Sequence, residues 1–346
     1  MLRLFLLILV LAATSLSAQA DDKELVVLNW ADYLDPEVVG AFEKAYDVKV
    51  KQLYFESDSE RDKIMVKEDG KGFDVVLVDQ VTLATYAKQG WLAPIPKLAN
   101  LKNLDEKWQR DFTARGRYGL AYFWGTMGLA YRADLVPEPI HSWMQVFRPA
   151  RPLYGHIIMI NDPLDLIGMA LKAQGHSMNS EDPQELHQAE ELLLGQRPAV
   201  KRYGYVLLDK SSSLVTGEAY VSMAFNGDVL TLQELEPNIR YVVPDEGGSL
   251  WTDYLAITAN GRQALAASFI DFLNRPDMAA RNARFVYYAT PNRAAMALLD
   301  KDYLTNPVIF PDAQTLARCE TNQPLPPPVM RQYNMAYARV VDKDRP

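Results

Sequence analysis

The apolar positions of this chain fall in short runs separated by amphipathic stretches, and that alternation predicts the fold. ELVVLNW at 24–30 is a continuous apolar run of strand length, and PEVVGAFEKAY at 36–46 carries apolar residues at helical spacing. Asp35 serves as the cap of that helix, with Pro36 at the first helical position, where its missing N–H costs nothing. VKVKQLYF is a second strand, Ser59 is placed to cap a helix over SERDKIMVKEDG, FDVVLVD is a third strand, and VTLATYAKQG is a helix closed by Gly90. Three such alternations imply parallel strands joined by right-handed crossovers. Ligands of these sheets sit beyond the carboxyl ends of the strands, which directs attention to the junctions at 30–33, 56–59 and 79–81.

The pattern changes at YGLAYFWGTMGLAYRAD, an apolar, aromatic, Gly-punctuated segment suited to a strand crossing between two lobes. A second alternating block runs from there to about Asp245. In it GHIIMIND ends a strand, DPLDLIGMALKAQG is a helix with Asp162 as cap and Pro163 at its first position, and AYVSMAFNGD is strand-like. EGGSLWTDYLAIT reads as a return crossing and QALAASFIDFLNRPD as a helix, while the Pro-rich QPLPPPVM is expected to run extended over the surface. The predicted architecture is α/β and two-lobed, each lobe a mainly parallel sheet flanked by helices, with a hinge of crossing strands. Residues 21–128 with 254–300 form the first lobe and 129–253 with 301–346 the second.

The opening MLRLFLLILVLAATSLSAQADD reads as a secretory signal peptide: Arg3, an apolar run to about Ala13, and small residues at Ala18 and Ala20 around Gln19. Cleavage is expected after Ala20, with no cysteine nearby for lipid attachment, which places the mature chain free in the periplasm. The lone Cys319 allows no internal disulfide, so stability must come from packing. The net charge is −8, and loss of Arg3 makes the mature chain more acidic still, against nucleic acid and against an acidic membrane surface.

Three junctions place an aromatic ring beside a carboxylate: Asn29-Trp30-Ala31-Asp32-Tyr33, Phe225-Asn226-Gly227-Asp228 and Trp251-Thr252-Asp253-Tyr254. Asp162 and Asp165 lie one helical turn apart, and Asp79 ends another strand. Such a set suits a flexible alkylammonium, each charge-assisted hydrogen bond contributing about 1.5–3 kcal/mol and each ring face roughly 0.5–2 kcal/mol where water is excluded. That condition favours a cleft that closes. Competing roles stand beside these: Asp162 serves equally well as a helix cap, Trp251 as core packing, and Trp124 beside Gly125 as packing on the crossing strand. His141, His156, His176 and His187 show no metal-binding spacing, and no nucleophile elbow, phosphate loop or cysteine pair is present, so neither an enzyme nor a cofactor is expected. The adjacent Tyr287-Tyr288 raises one rival, a ferric-ion binder, although Trp beside Asp is wrong for a hard metal.

At NWADYL, FDVVLVD, GWLAPI, YFWGTMGLAYRADLV, GEAYVSMAFNGD, EGGSLWTDYLAI, FLNRP, ATPN and FPDAQT the chain resembles the bacterial periplasmic spermidine/putrescine-binding proteins over nearly its whole mature length. The resemblance implies a monomeric two-lobed protein that closes on a polyamine and delivers it to an inner-membrane ABC transporter permease. Residue by residue, Trp30 and Tyr33 match the family's first-strand aromatics, and Asp32 an acid of its putrescine-type members. Asp162 and Asp165 match acids that grip an amine, Asp228 another putrescine-type acid, Trp251 and Asp253 a Trp-x-Asp element, and Tyr288 a tyrosine before the TPN turn. The chain departs from the family in having Asp79 and Val81 for a Ser and an aromatic, and Phe225 for a Trp, with a family Gln falling near Asn322 or Gln323. Some relatives of this fold sense polyamines and report to a membrane-bound cyclic-di-GMP signalling protein, which is the alternative role.

Overall fold

A computed structural model describes residues 23–342; the leader expected over 1–20 lies outside the described residues. Ten strands form one continuous sheet: β1 Glu24–Trp30, β2 Lys49–Phe55, β3 Val75–Asp79, β4 Leu92–Ala93, β5 Gly119–Arg132, β6 Ile157–Met159, β7 Val200–Tyr203, β8 Val221–Phe225, β9 Ile239–Val242 and β10 Ser249–Thr258. The order is β2-β1-β3-β10-β5-β8-β6-β7, with β4 on β10 and β9 on β5. β1 pairs in parallel with β2 and β3, and β6 with β7 and β8, so each end of the sheet is the parallel arrangement that the alternation requires.

β5 and β10 join the two halves as an antiparallel pair. Along β5, Leu120 to Phe123 belong to one hydrophobic core, whereas Met127 and Leu129 belong to another. The first core gathers Leu25, Val76, Tyr254, Phe269 and, late in the chain, Tyr303 and Ile309; the second gathers Trp143, Ile157, Leu166, Val221, Tyr333 and Val340. The chain therefore passes from one lobe to the other along these strands. The register of the pair slips between Asp253 and Tyr254, leaving Tyr122 without a direct partner on β10. A bulge of this kind re-aims the neighbouring side chains, and here it falls on Asp253.

Two local expectations are corrected. Ser57, not Ser59, caps the helix Asp58–Lys67: it is extended, its hydroxyl accepts from the Glu60 N–H, and the Glu60 carboxylate accepts back from the Glu56 N–H. This reciprocal arrangement resembles a capping box, and it draws Asp58 and Ser59 into the first turn. The Pro-rich tail is not extended past Pro326; prolines 327 and 328 open a helix, Pro327–Val341, whose stripe Tyr333, Ala336 and Val340 is buried in the second core. Proline is tolerated in a first turn because no donor is needed there, and apolar residues three and four apart supply the packing face.

Candidate functional site

The C-terminal ends of β1, β3 and β8 and the start of β10 converge where the two cores meet, and they bring a row of rings together. Trp30 lies with its ring centroid 5.8 Å from Tyr205, Tyr205 stacks at 6.1 Å on Phe225, and Phe225 meets Trp251 edge-on at 5.8 Å. Trp251 is perpendicular to Tyr288 at 4.8 Å, and Tyr288 lies 5.8 Å from Tyr33. Most of these rings are only partly buried, as expected of a lined cleft rather than a filled core. The close approach depends on glycine. A Cβ at Gly227 would stand 2.5 Å from the Tyr288 ring, and one at Gly125 would stand 2.6 Å from Trp251.

Carboxylates line the row in two adjoining groups. In one the Tyr33 hydroxyl donates to Asp253 at 2.8 Å and the Tyr288 hydroxyl to Asp228 at 2.6 Å. Neither acid has a cationic partner among the described residues, and burial pushes Asp253 up to about 8 and Asp228 up to about 6, with the two tyrosine bonds opposing. A second group, Asp58 and Asp79 from one half of the sheet and Asp162 and Asp165 from the other, adjoins the first, since Asp79 on β3 is the direct cross-strand partner of Asp253 on β10. Burial, then the Asp162 charge, raises Asp165 well above the carboxylate range, and burial also raises Asp162 and Asp58. All six acids nonetheless retain part of their surface accessible.

The expected residues have different fates. Trp30, Tyr33, Phe225, Asp228, Trp251, Asp253 and Tyr288 form the ring-and-acid network, and Asp162 and Asp165 face it from the second lobe. Asp162 is also the cap of the helix Pro163–Ala173, accepting from the Leu164 and Asp165 N–H groups, so its two competing roles coexist. Asp79 is fully engaged: it accepts from the Val81 and Thr82 N–H groups, the Thr82 hydroxyl and Arg61, and this holds it below the ordinary carboxylate value although burial opposes. Asp32 stands apart, exposed in a turn at φ 54° and without a hydrogen bond or ion pair among the described residues. Tyr287 and Tyr288 diverge: the first donates to Glu234 at the surface, the second to Asp228 inside. They do not form a common ligand pair, which removes the feature that suggested ferric ion.

Sequence reasoning passed over Arg61, Asp58 as an individual residue, and Tyr205. Tyr205 lies beyond the short β7 with no acid beside it in sequence, so it gave no signal. Asn322 is placed as well: its side-chain amide donates to Asp165 at 3.1 Å, and its carbonyl accepts from Gln80 of the first lobe at 3.1 Å. This segment thus ties the two walls together.

Residues 37–311 match the model of the bacterial extracellular solute-binding protein family. The chain belongs to that family. It is 31% identical over 320 residues to the norspermidine sensor of Vibrio cholerae, covering 92% of this chain and 88% of the sensor. It is also 31% identical over 311 residues to the spermidine/putrescine-binding periplasmic protein of Escherichia coli, covering 88% of each. Among solved structures, the spermidine/putrescine ABC transporter substrate-binding protein of Streptococcus pneumoniae is similar with a TM-score of 0.77 at 26% identity, over 92% of this chain and 98% of that one. The architecture is that of the periplasmic binding proteins, and these relatives are binding proteins rather than enzymes.

Proposed function

We propose that this solute-binding protein holds a polyamine of the putrescine/spermidine class in the cleft between its lobes and delivers it from the periplasm to an inner-membrane ABC transporter. The observation that carries this reading is the row of rings from Trp30 to Tyr33 flanked by carboxylates with no cation at ion-pair distance among the described residues, Asp253 and Asp228 bonded to Tyr33 and Tyr288, and Asp162 and Asp165 near Tyr205. Ring faces attract a cationic chain along its length, and the carboxylates accept from its terminal ammonium groups. On this reading the first lobe is the core that runs from Leu25 to Phe123 and resumes from Tyr254 to Ile309, and closure is a hinge motion at β5 and β10. Calorimetric titration with putrescine, spermidine, norspermidine and spermine is expected to give micromolar or tighter binding of at least one; a folded protein that binds none refutes the proposal.

A second reading shares the ligand but docks a membrane-bound cyclic-di-GMP signalling protein, and similarity to the norspermidine sensor over 92% of the chain supports it. Co-purification of a permease or of a signalling receptor with the polyamine-loaded protein distinguishes the two.

The crowding around Tyr288 gives a test of the cleft wall. Gly227→Ala places a methyl group where the Tyr288 ring stands and must shift the hydroxyl that Asp228 accepts from. Overpacking of this kind costs about 1–3 kcal/mol, so polyamine affinity is expected to fall about tenfold in a variant that still folds. Calorimetry with circular dichroism as the fold control reads this out.

A further inference from the structure

The acidic end of the cleft that faces Asp162 already holds a cation of its own. Arg61 is 1% exposed, and with Met65 it is one of two buried residues of the helix Asp58–Lys67. Its guanidinium donates to Asp58, to Asp79 at 3.2 Å, to Thr82 at 2.8 Å and to Asp62 at 3.3 Å, while the Tyr86 hydroxyl donates to Asp62 at 2.5 Å. It also lies 5.6 Å over the Phe55 ring, which in turn touches Trp30 at 4.4 Å, so the cation adjoins the end of the aromatic row. The side chains of Asp58 and Asp79 keep 33% and 32% of their surface exposed while both grip Arg61; the oxygens of Asp79 are all occupied, so Asp58 is the one with a flank to offer. Asp162 and Asp165, opposite them, have no cation within ion-pair distance among the described residues; Asp165 accepts only the Asn322 amide. One positive charge is therefore already supplied from within, shared by Asp58, Asp62 and Asp79.

Resting on the polyamine reading above, we propose that Arg61 is a specificity-determining residue: a resident guanidinium that occupies the place of one further ammonium group and limits the charge the cleft accepts. With Arg61 present, the acids with no cation at ion-pair distance among the described residues are Asp162 with Asp165 and Asp228 with Asp253, two pairs that match an amine carrying two ammonium groups. With Arg61 replaced by a neutral residue, the charges of Asp58 and Asp79 lose their resident cation, and a longer amine with an extra ammonium gains a partner in Asp58.

The test compares the ratio of spermine to putrescine affinity, by calorimetry, in the full-length mature protein and two variants, with thermal melts as the fold control. Arg61→Gln is expected to move the ratio at least tenfold toward spermine. Asp58→Asn, which leaves Arg61 in place and removes an acid, is expected to move it the other way, and it decides the matter if Arg61→Gln does not fold. A ratio within twofold of wild type in either folded variant overturns the proposal while leaving polyamine binding standing. A wild-type protein that binds neither amine removes both.

Discussion

Asp253→Asn is expected to weaken polyamine binding about 100-fold at pH 8, equivalent to about 2.7 kcal/mol. Asp253 stands at the bulge where β10 leaves one lobe for the other, accepts from the Tyr33 hydroxyl at 2.8 Å, and has no cationic partner among the described residues. Asparagine has the same shape and keeps an oxygen for Tyr33, so the fold and the ring row stay intact and only the charge is lost. An ammonium group held in the desolvated cleft would then lack its counter-charge, a loss that costs 2–5 kcal/mol for buried charge pairs. The loss should shrink at pH 6, where the wild-type carboxyl is itself largely protonated in the empty cleft. A deficit below threefold at pH 8 would take Asp253 out of the site.

Much of this arrangement was legible in the sequence because it obeys local rules. The apolar runs at 24–30 and 73–79 have the length and composition of buried strands, and the length of the apolar segment at 118–134 marks a strand long enough to serve both lobes. Trp-x-Asp after a Gly-Gly turn announced Trp251 and Asp253. What could not be read depends on partners far apart in the chain. Arg61 lies on a helix with almost no apolar face, and its burial follows from Asp79 and Thr82, about twenty residues away. Asp79 looked like a free carboxylate because nothing local reveals that Arg61 and three donors from its own helix saturate its oxygens. Tyr205 joins the row only through Trp30 and Phe225, residues on two other strands. The tail departs from its local preference for another reason: prolines 326 to 328 favour extended backbone, and the buried face of Tyr333, Ala336 and Val340 overrides that preference from the second proline onward.

Polyamine affinity is expected to fall about 100-fold as pH drops from 8 to 6. In the empty cleft burial holds Asp253 at about 8 and Asp228 at about 6, and it raises Asp58, Asp162 and Asp165. The ligand's primary ammonium groups, like a lysine side chain with a value near 10.4, remain charged throughout this range. An ammonium beside a carboxylate stabilises its ionised form, so the bound-state value of Asp253 is drawn below that of the empty cleft. At a pH between the two values, binding must therefore expel a proton. By linkage each proton released costs about a factor of ten in affinity per pH unit, so Asp253 alone accounts for about two decades between pH 8 and 6. Asp228 adds to the slope only toward pH 6 and below, and Asp79, already held low and paired with Arg61, adds nothing. Asp162 and Asp165 can steepen the fall but not reverse it, since their shifts have the same sign. Calorimetry at pH 7 in buffers of different ionisation enthalpy should detect the released proton directly, and Asp253→Asn should flatten the upper part of the profile. An affinity independent of pH from 6 to 8, with no buffer dependence of the heat, would mean that the ammonium groups do not rest against these carboxylates.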